Sequence, residues 1–292
     1  MNKEECRTVR IVVHRFGDVK ESFLGDVLKI LDDCYSCVGA RDLEIVDLCL
    51  FDRSTSMNAF ISEEKKKFGI STSAFEASFF AVHDAWQGTP RIMVAHDKML
   101  TAPKLVAIGG LHHEVAHTIL HGSLEYYLFP TPRLLVKLEN EGIFSTQFVR
   151  DILYLASLAV KDFEVTRLLY RNGYVEDQVA YNTYFLEPSE EEHETWRLAE
   201  KNKTARLLVL VSLLKTACCA EPLLRDERHG KEIAQMMARS MNYLPVELSA
   251  PILRMLKVTS KFGEKTHENV NLFMNKIIDE FIIEGGYFDF KG

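Results

Sequence analysis

The sequence feature that most constrains this chain is the pattern H-E-x-x-H, formed by His113, Glu114 and His117. Residues four apart lie on one face of a helix, so both imidazoles can point at a single metal ion if this segment is helical. Glu114 follows His113 directly, which places its carboxylate beside such an ion, where it can accept a proton from a metal-bound water. The motif therefore predicts a helix with two metal ligands and a general base, and it needs a third ligand from elsewhere.

The residues around the motif predict a helix that begins near Pro103 and ends at His121. Thr101 or Ala102 would occupy the N-cap and Pro103 the first turn, and Gly122 is well placed to stop the helix. One side of this helix is expected to be buried, because apolar residues recur at helical spacing: Leu105, Ile108, Leu111, Val115 and Ile119.

Two glycines, Gly109 and Gly110, precede the motif by about one helical turn. Glycine lowers the stability of a helix interior, so its presence here needs a reason. Close approach by another backbone, such as a neighbouring strand, is one explanation. Ordinary packing against another helix is the other, and the sequence leaves both open.

Composition and charge narrow the class of protein. The chain has 292 residues, of which 47% are hydrophobic and 26% are charged, as in ordinary globular proteins. The formal net charge is −7 and no long run of Lys or Arg is present, which disfavours nucleic acid as a partner. The oligomeric state is left undetermined by the sequence.

The apolar segments do not indicate export or membrane insertion. Residues 1–7 are polar and lack the apolar core of a signal peptide. The most apolar stretch, residues 207–224, is interrupted by Lys215 and Glu221, which favours a buried helix over a membrane span. We therefore expect a cytoplasmic protein without membrane association.

The six cysteines are expected to be free thiols, because no export signal accompanies them. Cys34 and Cys37 form a single C-x-x-C pair. Together with Cys6 and Cys49 they could form a four-thiolate metal site, but small buried hydrophobic residues are the simpler interpretation.

Hydrophobic periodicity predicts an α+β protein. The first hundred residues have the order β-α-β-α-β-β, and the remainder is helical. The predicted strands are residues 8–16, 43–51, 75–86 and 91–96, and the first two helices are residues 18–38 and 56–68. After the motif the predicted helices are residues 131–141, 145–171, 190–220, 225–243, 246–262 and 264–285. We expect a small mixed sheet with packed helices in residues 1–185 and an all-helical C-terminal region in residues 186–292, divided near the loop 184–188.

His121 is a poor candidate for the third ligand. It lies eight residues after His113, about 12 Å along the helix axis, so three such imidazoles cannot all reach one zinc ion at about 2 Å. A glycine-histidine extension of the motif is also missing, because Leu120 and Ser123 stand at those positions. We interpret His121 as a histidine at the helix C-terminus, where the helix dipole favours it.

The predicted helix 145–171 has its N-cap at Ser145 and its stop at Asn172-Gly173. It offers a better source for the third ligand, because acids lie within an otherwise apolar stretch. Asp162 and Glu164 are two residues apart and point about 200° apart around the helix, so only one of them can face the metal. Glu164 is favoured and Asp162 is the alternative, with Glu139 and Glu141 as further candidates. An ion pair on the same helix would be the structural explanation for either acid. Two imidazoles and a carboxylate are a ligand set typical of zinc.

With these residues the chain resembles the zincin metallopeptidases, specifically the gluzincin type. There the first helix carries H-E-x-x-H, and a glutamate on a later helix is the third ligand. The resemblance implies a zincin-like core of small mixed sheet, active-site helix and glutamate helix in roughly residues 70–172. Thr166 and Leu168 stand where such glutamate helices often carry an aspartate.

The resemblance also implies a function, a zinc-dependent metallopeptidase in which His113, His117 and Glu164 hold Zn2+ and Glu114 is the general base. An edge strand beside the active-site helix would bind an extended peptide, and residues 91–96 or 79–83 could supply it. Candidate donors for the oxyanion are Tyr126, Tyr127, His121 and His193. The alternative function is a catalytically inactive zinc-binding interaction or sensor protein.

Overall fold

The computed structural model describes residues 9–40, 42–67 and 80–284. Its strands form one four-stranded sheet with the order β1-β2-β4-β3. In this sheet β1, β2 and β4 are parallel, and β3 runs antiparallel to β4. The predicted α+β class with a small mixed sheet is confirmed. The strand bounds are Arg10–Phe16 for β1, Ile45–Phe51 for β2, Ala81–Asp84 for β3 and Arg91–Ala95 for β4.

The two central strands of the sheet, β2 and β4, are the most buried. Every residue of β4 is buried, and most of β2 is too, as expected for parallel strands covered on both faces. Strands β1 and β3 are the two edge strands of the described sheet, and the register of β3 places Asp84 opposite Arg91. The buried Arg91 guanidinium donates two hydrogen bonds to the Asp84 carboxylate, at 2.9 and 2.8 Å. Asp84 is therefore a strand residue that anchors β3.

Four helices accompany the strands: α1 (Glu21–Val38), α2 (Ser54–Lys67), α3 (His96–Thr101) and α4 (Lys104–His121). The short helix α3 was not predicted, since His96 was expected to end a strand. In α3, Asp97 accepts hydrogen bonds from the Ser54 backbone N–H and hydroxyl, at 2.8 and 3.0 Å. Helix α4 confirms the predicted motif helix, but Pro103 occupies the N-cap position in place of Thr101 or Ala102.

The chain beyond Tyr127 is helical throughout its described part, which agrees with the prediction of helices after the sheet. The predicted cap at Ser145 is confirmed, because its hydroxyl accepts from the Phe148 N–H at 3.1 Å, and Gly173 follows the helix end with a φ of 86°. These helices are α5 (Arg133–Asn140), α6 (Thr146–Arg171), α7 (Glu176–Leu186), α8 (Glu190–Ala199), α9 (Lys203–Ala220), α10 (Gly230–Ser240), α11 (Ser249–Val258) and α12 (Thr266–Ile277), which continues as a π-helical turn.

One predicted helix and one predicted loop in this part differ from the structure. The single helix predicted for residues 190–220 is two helices, because the Asn202 side chain accepts from the Ala205 N–H and starts α9 anew. The loop predicted at residues 184–188 is shorter than expected, because α7 continues to Leu186.

The chain forms two compact units that interleave along the sequence. The sheet unit comprises Met1–Tyr127 and Arg167–Tyr181, and the helical unit comprises Leu128–Thr166 and Asn182–Gly292. The chain passes from one unit to the other within α6 and again within α7. The sequence-based division at 185/186 differs from this one, because it assigns residues 128–166 to the part that contains the sheet.

Helix α9 explains the most apolar part of the sequence. The segment Lys203–Arg225 is long and apolar enough to cross a membrane, with a mean hydropathy of 1.8, but 61% of its 18-residue apolar window is buried within the protein. Within the helical unit α9 packs against α8, α10 and α11. These contacts support the prediction of a buried helix, and the cytoplasmic location stays a prediction.

Candidate metal centre

Helix α4 places all three residues of the motif in the protein interior. His113, Glu114 and His117 expose only 3%, 8% and 6% of their surfaces. Helix α4 packs against α1 on one side and against strands β3 and β4 on another, which is why its polar residues are enclosed. Polar groups at this depth need partners of their own.

The two histidines of the motif face one another through their Nε2 atoms, which are 3.1 Å apart. Two nitrogens bound to one tetrahedral zinc ion at 2.0–2.1 Å lie about 3.3 Å apart. The same separation allows an N–H···N hydrogen bond in the metal-free protein. The nitrogens of His113 and His117 therefore converge as the motif predicts, and their spacing fits a shared metal ion.

His121 lies next to His117 on the other side. Its Nδ1 is 3.2 Å from the Nδ1 of His117, and the residue has no exposed surface. The edge of the Tyr126 ring contacts the His121 ring, with centroids 5.2 Å apart. His121 ends α4 as predicted, but it is an interior residue in contact with a candidate ligand.

Strand β3 contributes a third imidazole around His117. The His83 ring lies parallel to the His117 ring, with centroids 5.0 Å apart and an angle of 3° between the planes. Of the two candidate edge strands, residues 79–83 overlap β3, which lies at an edge of the sheet, and Phe79 is outside the described residues. That this strand binds a peptide stays a prediction. The prediction for residues 91–96 is wrong, because β4 lies between β2 and β3. Sequence gave no signal for the stacking, which depends on the position of β3 beside α4.

Two histidine-aspartate pairs, His83-Asp84 and His96-Asp97, lie near the ends of β3 and β4, and such carboxylates can orient metal-binding histidines. Both aspartates have structural roles, since Asp84 binds Arg91 and Asp97 binds Ser54. The His96 ring packs against Phe23, with centroids 4.2 Å apart.

Gly109 allows the start of α7 to approach α4, and Gly110 leaves room for the Phe80 ring. A Cβ at Gly109 would lie 2.4 Å from the Asp177 carbonyl oxygen, and a Cβ at Gly110 would lie 2.5 Å from the Phe80 ring. The Gln178 amide donates to the Gly109 carbonyl at 2.9 Å. Close approach by another backbone is thus the reason for Gly109, and that backbone belongs to a helix.

Three further contacts fix α4 close to the motif. The buried Nδ1 of His112 lies 2.8 Å from an Asp177 carboxylate oxygen. Thr118 shares a buried hydrogen bond of 2.8 Å with the Tyr35 hydroxyl of α1, and burial raises the pKa of that hydroxyl. Tyr181 packs against His113 with ring centroids 5.0 Å apart. Sequence analysis missed Asp177 and Tyr181, which lie more than sixty residues from their partners.

The candidate oxyanion donors have different positions. The Tyr127 hydroxyl accepts from the backbone N–H of Ala85 at 2.8 Å, immediately after β3. Tyr126 contacts His121, as described above. His193 belongs to the helical unit and packs against Tyr243.

The predicted acidic ligands lie on α6, in the helical unit. Glu164 is buried, and its two carboxylate oxygens accept hydrogen bonds from the Thr266 hydroxyl at 2.7 Å and from the Asn269 amide at 2.5 Å. Asp162 is half-buried. Two neutral donors within the helical unit therefore supply part of the compensation that a buried carboxylate requires, and the buried Lys161 ammonium interacts electrostatically with both Glu164 and Asp162. The roles of Glu164 and Asp162 as metal ligands stay predictions.

The remaining acidic candidates lie near the surface. Glu139 accepts a hydrogen bond from Thr146 at 2.5 Å, across the turn between α5 and α6. Glu141 is exposed and forms an i,i+4 ion pair with Lys137, with 3.7 Å between the charged atoms. Both contacts are of the kind found on solvated helix surfaces.

The described cysteines are free thiols, as expected. Burial raises the pKa of both Cys34 and Cys49 to about 12. Cys37 is exposed, with its thiol 3.8 Å from the Asn172 carbonyl oxygen. Cys6, the fourth member of the alternative thiolate site, lies outside the described residues.

Comparison with known proteins gave no match to any family model, curated protein or solved structure. The resemblance to zincins therefore depends on the H-E-x-x-H motif and its setting alone.

Proposed function

We propose that this protein is a zinc-dependent metallopeptidase. The observation that carries the proposal is the convergence of the His113 and His117 Nε2 atoms to 3.1 Å on one buried helix. Glu114 lies between them in sequence and is also buried. An antiparallel edge strand accompanies this helix in the sheet unit, as a zincin-like core would require.

The residues of the sheet unit would share the chemistry as follows. His113 and His117 would hold the ion through their Nε2 atoms. Zinc, when bound, lowers the pKa of a coordinated water to about 7 and polarises a carbonyl group. Glu114 would accept a proton from the attacking water and deliver it to the leaving amine. The surrounding protein would keep bulk water away from that carboxylate, which strengthens its interactions.

Strand β3 suggests the class of substrate. It is one of the two edge strands of the described sheet, β1 being the other, and it packs against α4. Such edges bind extended peptides by backbone hydrogen bonds. A peptide or protein is therefore the proposed substrate. A cytoplasmic location without nucleic acid or membrane partners completes the proposal.

Metal analysis and a peptidase assay test the proposal together. We expect about one zinc per chain in the wild type and loss of zinc in His113→Ala. We expect Glu114→Gln to retain zinc and to lose hydrolysis of a quenched fluorescent peptide library. Glu63→Gln, an exposed acid on α2, is the matched control and should change neither property. An unchanged rate in Glu114→Gln would contradict the mechanism.

The third ligand is tested separately. If Glu164 ligates the ion, Glu164→Gln weakens zinc binding and Asp162→Asn leaves it unchanged. The reverse pattern would assign Asp162. If both variants bind zinc as tightly as the wild type, neither acid is a ligand, and Glu164 has only a structural role as the partner of Thr266 and Asn269.

The burial of the motif favours one alternative, a zinc-binding interaction or sensor protein without catalysis. At 3–8% exposure of the three residues, a peptide carbonyl would have to enter a closed interior. Stoichiometric zinc in the wild type, without cleavage of any library peptide, would support this alternative over the peptidase.

A further inference from the structure

We propose that His121 is a positioning residue that sets the tautomer of His117 and thereby prepares its Nε2 atom to bind a metal ion. The inference rests on the proposed metal centre and deepens it, because it assigns a role to a histidine outside the H-E-x-x-H motif. Residues 117 and 121 are four apart on α4 and therefore lie on one helix face.

The distance between the two Nδ1 atoms determines the number of protons between them. At 3.2 Å the two nitrogens are within reach of one N–H···N hydrogen bond. Without a proton, two lone pairs would face each other in the protein interior. With two protons, two N–H groups would collide. A single proton is therefore shared between these nitrogens, and it resides mainly on one of them.

Metal binding decides which nitrogen carries that proton. A ligating imidazole nitrogen must be unprotonated, so His117 can offer Nε2 only if its own proton is on Nδ1. His117 Nδ1–H then donates to His121 Nδ1, and His121 carries its proton on Nε2. In the opposite arrangement His117 would carry its proton on the Nε2 atom that faces His113.

Two other contacts restrict the ring of His117 to this orientation. The His83 ring covers one face of it in parallel stacking. The His113 Nε2 atom lies at the opposite end of the ring from His121. Donation from the remaining ring N–H to a fixed acceptor is how metal-binding histidines are usually oriented, although the acceptor is more often a carboxylate or a carbonyl.

His121 is an orienting residue and not a third ligand for a geometric reason. Eight residues of helix separate it from His113, which corresponds to about 12 Å along the axis. Its Nδ1 also faces the nitrogen of His117 that points away from His113.

Two substitutions of His121 distinguish its role as a hydrogen-bond acceptor from its role in packing. His121→Phe keeps the ring volume and removes the acceptor, whereas in His121→Asn the amide oxygen takes the place of Nδ1. The affinity of each protein for zinc is measured by competition with a chromophoric chelator. We expect His121→Phe to bind zinc about 10- to 100-fold more weakly than the wild type, and His121→Asn to recover most of that loss. His14→Phe, at an exposed histidine of the same unit, is the control.

The imidazole ¹⁵N shifts of the metal-free wild type provide a readout that does not depend on zinc. We expect His117 to carry its proton on Nδ1 and His121 on Nε2. If the protein binds no zinc but shows these tautomers, the proposed function is wrong, and the role of His121 in setting the tautomer of His117 is supported. Three results would overturn the role: an Nε2-protonated His117, wild-type zinc affinity in His121→Phe, or equally weak binding in His121→Asn.

Discussion

Replacement of Gly109 by alanine tests the packing that holds the motif helix. In an exposed helix this change stabilises by up to about 1 kcal/mol. Here the new Cβ would lie 2.4 Å from the Asp177 carbonyl oxygen, and ordinary contacts begin near 3.4 Å, so the start of α7 must move by 3.4 − 2.4 = 1.0 Å. Because that oxygen belongs to the backbone, no side-chain rotation can relieve the contact.

The displacement has a cost that the structure allows us to estimate. The contacts His112–Asp177 and Gln178–Gly109 would lengthen from 2.8 and 2.9 Å to as much as 3.8 and 3.9 Å, beyond hydrogen-bond range. Loss of one charged and one neutral hydrogen bond costs about 2–4 kcal/mol. After the gain in helix propensity, we expect the free energy of unfolding to fall by about 1–3 kcal/mol.

Urea unfolding followed by circular dichroism measures the change, with Gly25→Ala as the matched control. Gly25 is also helical, and its added Cβ would have no atom within 4 Å, so this variant should be as stable as the wild type or up to about 1 kcal/mol more stable. A Gly109→Ala protein as stable as the Gly25→Ala protein would refute the argument from close approach.

Three further changes test other parts of the structure. Glu280→Gln should lose roughly 2–3 kcal/mol at pH 7, because the buried carboxylate accepts charged hydrogen bonds from Arg254. The Arg254 hydrogen bonds lower the pKa of Glu280 in the folded protein. As the pH falls below about 4.3, the unfolded state therefore binds more protons than the folded state, and the wild type loses stability. The difference in stability between the wild type and Glu280→Gln, measured by urea titration, should shrink there. Tyr127→Phe should cost about 1 kcal/mol in the same titrations, because a backbone N–H after β3 loses its acceptor, and an unchanged midpoint would contradict that role. Gly17→Ala should lower thermal stability by about 1–2 kcal/mol, because Gly17 has a φ of 83° and its Cβ would meet the Asp52 side chain; a gain in stability would be inconsistent with that strain.

Local patterns in the sequence predicted the elements that local chemistry determines. The period of apolar residues around the motif predicted α4, and Ser145 and Gly173 predicted the two ends of α6. The break between α8 and α9 had a signal that was not used, since Asn202 is a strong N-cap residue. The spacing of His117 and His121 likewise carried a signal for their contact that was not used, because residues four apart are neighbours on a helix.

The rest of the candidate site depends on contacts between distant parts of the chain. Glu164 accepts from Thr266 and Asn269, which lie about a hundred residues later, and no local pattern indicates those partners. The stacking of His83 on His117 likewise requires β3 to lie beside α4 in one register, since a slip by one residue would turn His83 to the other face. Periodicity describes one element at a time and cannot specify either contact.

A crystal structure of the zinc-loaded protein, with anomalous data collected at the zinc edge, tests most directly whether His113 and His117 share a zinc ion. We expect one zinc ion at full occupancy, within about 2.0–2.1 Å of the Nε2 atoms of both His113 and His117. We expect His121 to contact His117 and to lie outside the coordination shell. An anomalous map with no peak between the two Nε2 atoms, or with zinc bound only elsewhere on the protein, would contradict this expectation.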